Sequence, residues 1–143
     1  DKMGFIFQQM FMMKNLTILD NIVLPAIESK KDGSSKKDKI ARGEELMRKL
    51  GIIEVADNDI NEVSGGQLQR ACICRGMVNN PKLLFADEPT GSLDTKNRDE
   101  LQHLFFQLRD ELGITIVIVT HDMTLAGGSD RVIKMKDGKI VED

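Results

Sequence analysis

Apolar and polar positions follow helical spacing over the first half of the chain and strand-like runs over the second, with the change near Pro81. The chain opens into Phe5-Ile6-Phe7-Gln8, which reads as the end of a buried strand. Thr17, followed three residues on by Asp20 with Ile18, Ile22 and Val23 alongside, predicts an N-capped helix that Pro25 keeps short. Ser29 to Lys39 holds five lysines around Gly33, Ser34 and Ser35, which predicts a solvated loop leading to a helix. In that helix Ile40, Met47 and Leu50 share one face, and Gly51 is placed to end it. Residues 10–80 are thus expected to be mainly helical.

Beyond Pro81 the order is strand, helix, strand. Lys82–Ala86 is a short apolar run, Leu101, Leu104, Phe105, Leu108 and Leu112 form a helical stripe, and Ile114–Val119 reads as a second buried strand. That alternation predicts an α/β fold with a parallel sheet covered by helices. Arg131–Met135 and Ile140–Glu142 flank Asp137-Gly138, the signal of a tight hairpin.

Composition narrows the picture. A chain of 143 residues that is 41% hydrophobic supports one compact domain. Its 20 basic and 23 acidic side chains leave a net charge of -3, which argues against nucleic acid as a partner. No run approaches the roughly 18 apolar residues of a membrane span. Cys72 and Cys74 are too close together for an ordinary disulfide and lack the spacing of a zinc or redox pair, so they read as small buried residues.

Four places carry candidate chemistry. In VSGGQLQR, Val63 to Arg70, Ser64 and Gln67 have capping-box spacing, and Gly65 and Gly66 strip the first turn of side-chain bulk. Backbone amides and the positive end of the helix dipole can then approach an anion. In LLFADEPTGSLD, Leu83 to Asp94, an apolar strand ends in Asp87 and Glu88. Alternation would send the two carboxylates to opposite sides, one toward a hydrated Mg²⁺ and one toward a nucleophilic water. Pro89 stops the strand, Gly91 allows a turn, and Ser92 or Asp94 can cap the next helix. His121, after the run ending at Thr120, can donate to a phosphate oxygen, and Gln8 is an amide at a strand end.

In this order and spacing, Gln8, Val63–Gln67, Asp87 with Glu88, Ser92–Asp94 and His121 resemble the ATP-binding-cassette (ABC) ATPases, and the resemblance covers essentially the whole chain. The run DEPTGSLD looks most like the subfamily of lipoprotein release, macrolide export and bacteriocin export. The resemblance implies a P-loop NTPase fold of ABC type. Residues 1–9 would be the end of a core strand and the Q-loop, 10–80 the helical subdomain with the signature, and 81–143 the rest of the α/β core.

It further implies ATP and Mg²⁺ as ligands. Asp87 and Gln8 would lie at the Mg²⁺, Glu88 would be the general base, and His121 would contact the γ-phosphate. Ser64, Gly65, Gly66 and Gln67 would bind ATP held by the opposite subunit of a head-to-tail dimer, with Ser92 and Asp94 as the D-loop. The implied partners are a second nucleotide-binding subunit and transmembrane permease subunits, with the chain peripheral on the cytoplasmic face of the plasma membrane. Met10, Phe11, Met12 and Met13 either pack in the core or line the groove that receives a helix of the membrane subunit. The alternatives are a non-transport ABC-type ATPase of iron-sulfur assembly or DNA repair, or a folded fragment without enzymatic activity.

One departure is large. The phosphate loop G-x-x-x-x-G-K-[ST] is absent, because Gly138-Lys139 is followed by Ile140 and Ile133 stands five residues before Gly138. The expectation is an N-terminally truncated chain that lacks the first strands and the phosphate-loop helix, is inactive alone, and self-associates through uncovered apolar surface and strand edges. Val63 stands where Leu is usual, and Cys72 and Cys74 where alanines are common.

Overall fold

The computed structural model describes residues 3–6, 12–29, 33–89 and 93–142. Helix α1, Ile18–Glu28, begins where Thr17 accepts a hydrogen bond from the Asp20 backbone N–H at 3.1 Å. Pro25 does not end it, and the helix continues three residues further. Its apolar face, with Ile18, Ile22, Val23 and Ala26 buried, is seated on neighbouring helices, and that packing outweighs the lost backbone bond.

Helix α2, Lys36–Lys49, opens at Ser35 and so takes in three of the lysines assigned to the loop. One of them, Lys39, is buried and donates from Nζ to the Ser29 carbonyl at 2.7 Å, so it is structural, while Lys36 and Lys37 are exposed as expected. Gly51, at φ +74, ends the helical path as expected. Two short 3₁₀ turns, Ile53–Val55 and Ile60–Glu62, lead to α3, Gly65–Met77.

The sheet has three parallel strands in the order β1-β2-β3: Met3–Ile6, Leu83–Asp87 and Thr115–Val119. Helix α4, Thr95–Leu112, is the crossover from β2 to β3, and a five-residue helix α5, Met123–Gly127, follows β3. The hairpin β4–β5, Lys134–Lys136 and Lys139–Glu142, turns at Asp137 (φ +51) and Gly138 (φ +77) as the sequence predicts.

One sheet face is in the core. Ile6, Leu84 and Ala86 are buried there, and Ile116 and Ile118 pack against the same cluster with α3 and α4. Gly4 lets the sheet and α3 meet, since a Cβ there would collide with the Gly76 backbone. The opposite face carries Met3, Phe5, Leu83, Phe85, Val117 and Val119. Phe5 is 46% exposed and Val119 47%. The expectation that β3 is buried therefore fails on one face, because among the described residues nothing covers that side of the sheet.

Candidate functional site at the carboxyl end of the sheet

The parallel strands direct their carboxyl ends to one edge, and β2 delivers the acidic pair there. Asp87 is the last residue of β2, paired in register with Val119, and is exposed. Glu88 is not a further strand residue. It has φ +48, in the left-handed region, so a backbone turn rather than strand alternation separates the two carboxylates. Such a conformation in a non-glycine residue costs on the order of 1–3 kcal/mol and persists only where its surroundings hold it.

Those surroundings are specific. The Glu88 backbone N–H donates to the Val119 carbonyl at 2.7 Å. Its carboxylate accepts from the His121 backbone N–H at 2.9 Å and from the Thr120 hydroxyl at 3.4 Å. The His121 ring is fully exposed, with Nε2 3.7 Å from the same carboxylate. Glu88 and His121, 33 positions apart, are therefore side by side. Asp122 accepts from the Leu125 N–H at 3.3 Å, and its own N–H donates to Thr120 Oγ1 at 2.9 Å, which fixes the segment after β3.

The second part of the site is the start of α3. Both halves of the capping box form: Ser64 Oγ accepts from the Gln67 N–H at 3.1 Å, and Gln67 Oε1 accepts from the Ser64 N–H at 2.9 Å. The Leu68 N–H bonds to the Ser64 carbonyl at 2.9 Å. Gly65 and Gly66 thus provide the first-turn amides that point out of the helix, as at any helix N-terminus. A Cβ on Gly65 would meet nothing within 4 Å, so this approach is open to an anion. A Cβ on Gly66 would lie 2.8 Å from Asn97 Oδ1, which places the glycine pair against the first turn of α4.

Asp94, not Ser92, is the residue seen to cap α4, accepting from the Asn97 N–H at 2.9 Å. Gln8, Ser92, Met10 and Phe11 lie outside the described residues. Met12 is buried, as core packing requires, and Met13 is 48% exposed.

Sequence reasoning missed three residues. Thr120 and Asn97 give no signal of their own. Gln69 does: it lies on the apolar stripe of α3 with Cys72 and Ile73, and it is 2% exposed with Nε2 donating to the Pro89 carbonyl at 2.6 Å. The cysteines behave as read. Both are free and buried, and burial pushes the Cys72 thiol up to about 11 and Cys74 higher still.

Among the described residues no group of three or more His, Cys, Asp or Glu is arranged to hold a metal ion. A lone exposed strand-end carboxylate still suits Mg²⁺, which keeps several waters and takes one or two carboxylates together with substrate phosphates.

The family profile described as "ABC transporter" matches residues 1–91. The chain belongs to the ABC transporter family. It is 46% identical, over 98% of its own length, to the macrolide export ATP-binding/permease protein MacB of Rhodopirellula baltica, and covers 20% of that protein. It is 44% identical to the lipoprotein-releasing system ATP-binding protein LolD of Bacteroides thetaiotaomicron, covering 98% of itself and 63% of LolD. The chain thus spans less than two thirds of these curated relatives. Its fold matches the dimeric post-hydrolysis structure of the ATP-binding cassette MJ0796 bound to ADP and Pi, with a TM-score of 0.86 and 37% identity over 99% of this chain and 62% of that one. The fold is therefore the P-loop NTPase fold of ABC cassettes, and the expected resemblance to the lipoprotein-release and macrolide-export group holds. Among the described residues no helix is long and apolar enough to cross a membrane.

Proposed function

We propose that this chain is the signature-bearing part of a nucleotide-binding subunit that couples ATP binding and hydrolysis to export or release of a substrate through permease subunits. The observation that carries the reading is the meeting of Glu88, held in a left-handed turn, with Thr120 and His121 at the carboxyl end of the sheet. In phosphoryl transfer, positioning and charge stabilisation supply nearly all the catalysis. Glu88 takes the proton of the attacking water, its carboxylate aimed by the His121 N–H. His121 donates to the γ-phosphate from its exposed ring. Asp87 and Gln8 would hold a Mg²⁺, which would supply charge neutralisation at the phosphates. Gln8 also links the site to the membrane subunits.

The glycine amides, Ser64 and Gln67 face the ATP of a second, head-to-tail subunit, so that turnover requires two chains. Ser92 and Asp94 cross the same interface. The divisions 1–9, 10–80 and 81–143 are then Q-loop strand, helical subdomain and core. The working position is peripheral, on the cytoplasmic face of the membrane. The relatives named for lipoprotein release and macrolide export favour a transporter over the iron-sulfur and DNA-repair alternatives.

The 143 residues contain no G-x-x-x-x-G-K-[ST] run, so we expect them to be inactive by themselves. Calorimetric titration with MgATP, beside a form of the protein that includes a phosphate loop, tests this. Binding by the longer form alone supports the reading. Tight binding by these 143 residues would mean that another element cradles the phosphates.

A further inference from the structure

We propose that Gln69 is a positioning residue for hydrolysis: its buried amide ties the signature helix to the Pro89 carbonyl and so fixes the turn that aims Glu88. The inference rests on the reading of Glu88 as the general base. Gln69 is 2% exposed, and its Nε2 reaches Pro89 O at 2.6 Å across 20 residues of sequence. A buried amide without a partner is costly, so α3 and the turn after β2 cannot separate without breaking a bond that water does not replace.

The turn is pinned on both flanks. On the side of β3, the Glu88 N–H bonds to Val119 O, and the His121 N–H holds the carboxylate. On the other side, Gln69 holds the very next residue, Pro89. Glu88 is the left-handed residue between them, and such a conformation needs support from its neighbours. Gln69 also lies three residues beyond Gly66 on the same helix, a rise of roughly 4.5 Å. Two further contacts run in parallel: Gly66 lies against Asn97, and Arg70 Nη2 bonds to Glu100 at 3.1 Å. A displacement of the signature helix thus reaches the general base of the same chain through a rigid element and one hydrogen bond.

The test uses the complete ATPase, with phosphate loop and membrane partner, carrying Gln69→Met or Gln69→Asn in wild-type and Glu88→Gln backgrounds. For Gln69→Met, kcat should fall about ten- to a hundredfold while KM for ATP and nucleotide affinity stay within about twofold, because the group lost positions the base and touches no substrate. Gln69→Asn, which keeps the donor on a shorter arm, should lie between. In the Glu88→Gln background, where turnover is already lost, Gln69→Met should leave ATP binding and the ATP-bound dimer unchanged, since the group touches no nucleotide.

Wild-type kcat in a folded Gln69→Met enzyme overturns the proposal, as does loss of ATP binding by Gln69→Met in the Glu88→Gln background. If Gln69→Met does not fold by circular dichroism, Gln69→Asn carries the same readouts, and wild-type kcat there overturns it equally. Full activity of Glu88→Gln alone overturns the general-base reading and this one with it. An inactive Glu88→Gln beside a normal Gln69→Met overturns only the positioning role.

Discussion

Glu88 shows how a single residue departs from what its neighbours suggest. An apolar strand ending in Asp-Glu implies two alternating side chains, yet the backbone turns at Glu88 and its carboxylate is fixed by groups from 120–121. If it is the general base, Glu88→Gln in the complete ATPase should abolish turnover while ATP binding persists and the dimer becomes more stable. Steady-state hydrolysis and size-exclusion chromatography with ATP check this, and full retained activity sinks the assignment. The cysteines make a second prediction at this scale. With both thiols buried and the Cys72 thiol pushed up to about 11, neither should react with Ellman's reagent at pH 8 in the folded chain. Both should titrate in denaturant, and rapid reaction without denaturant would show that α3 is open.

At the scale of elements, the capping patterns at Thr17 and Ser64 and the Asp137-Gly138 turn were legible because each is local: the cap side chains bond a backbone N–H three residues away, and the turn needs only the positive φ of its own two residues. Pro25 and Lys39 were misread for the complementary reason. Each is a poor fit to its local role, and tertiary contacts made elsewhere along the helices override that. Gly43 extends the argument. It sits in α2 where alanine favours the helix by about 1 kcal/mol, but a Cβ there would press into Val23 Cγ1 and Leu19 Cδ1. Val23 is buried and β-branched and cannot swing away, so overpacking of about 1–3 kcal/mol should win. Gly43→Ala should therefore lower the denaturation midpoint, and an unchanged or raised midpoint would mean that α1 and α2 slide apart freely.

For the whole molecule, the sheet is finished on one face only. Met3, Phe5, Val117 and Val119 form an exposed apolar strip on the side away from α3 and α4. Apolar strips on a sheet favour pairing, so the 143 residues in isolation should self-associate. Size-exclusion chromatography with light scattering should show a mass that rises with concentration. A clean monomer at high concentration would count against the idea.

The local devices at the candidate site were legible in the sequence alone: the Ser64–Gln67 capping box, the glycine pair and the strand that ends at Asp87 each act within a few positions of themselves. So were the helical first half and the parallel α/β second half, because hydrophobic period reflects which face each element buries. Three things were settled only by the fold: that Thr120 and His121 close on Glu88, that Gln69 grips Pro89, and that β3 is covered on one side alone. Each depends on which elements lie side by side in space. A residue's own neighbours in the chain carry no record of a partner 20 or 33 positions away.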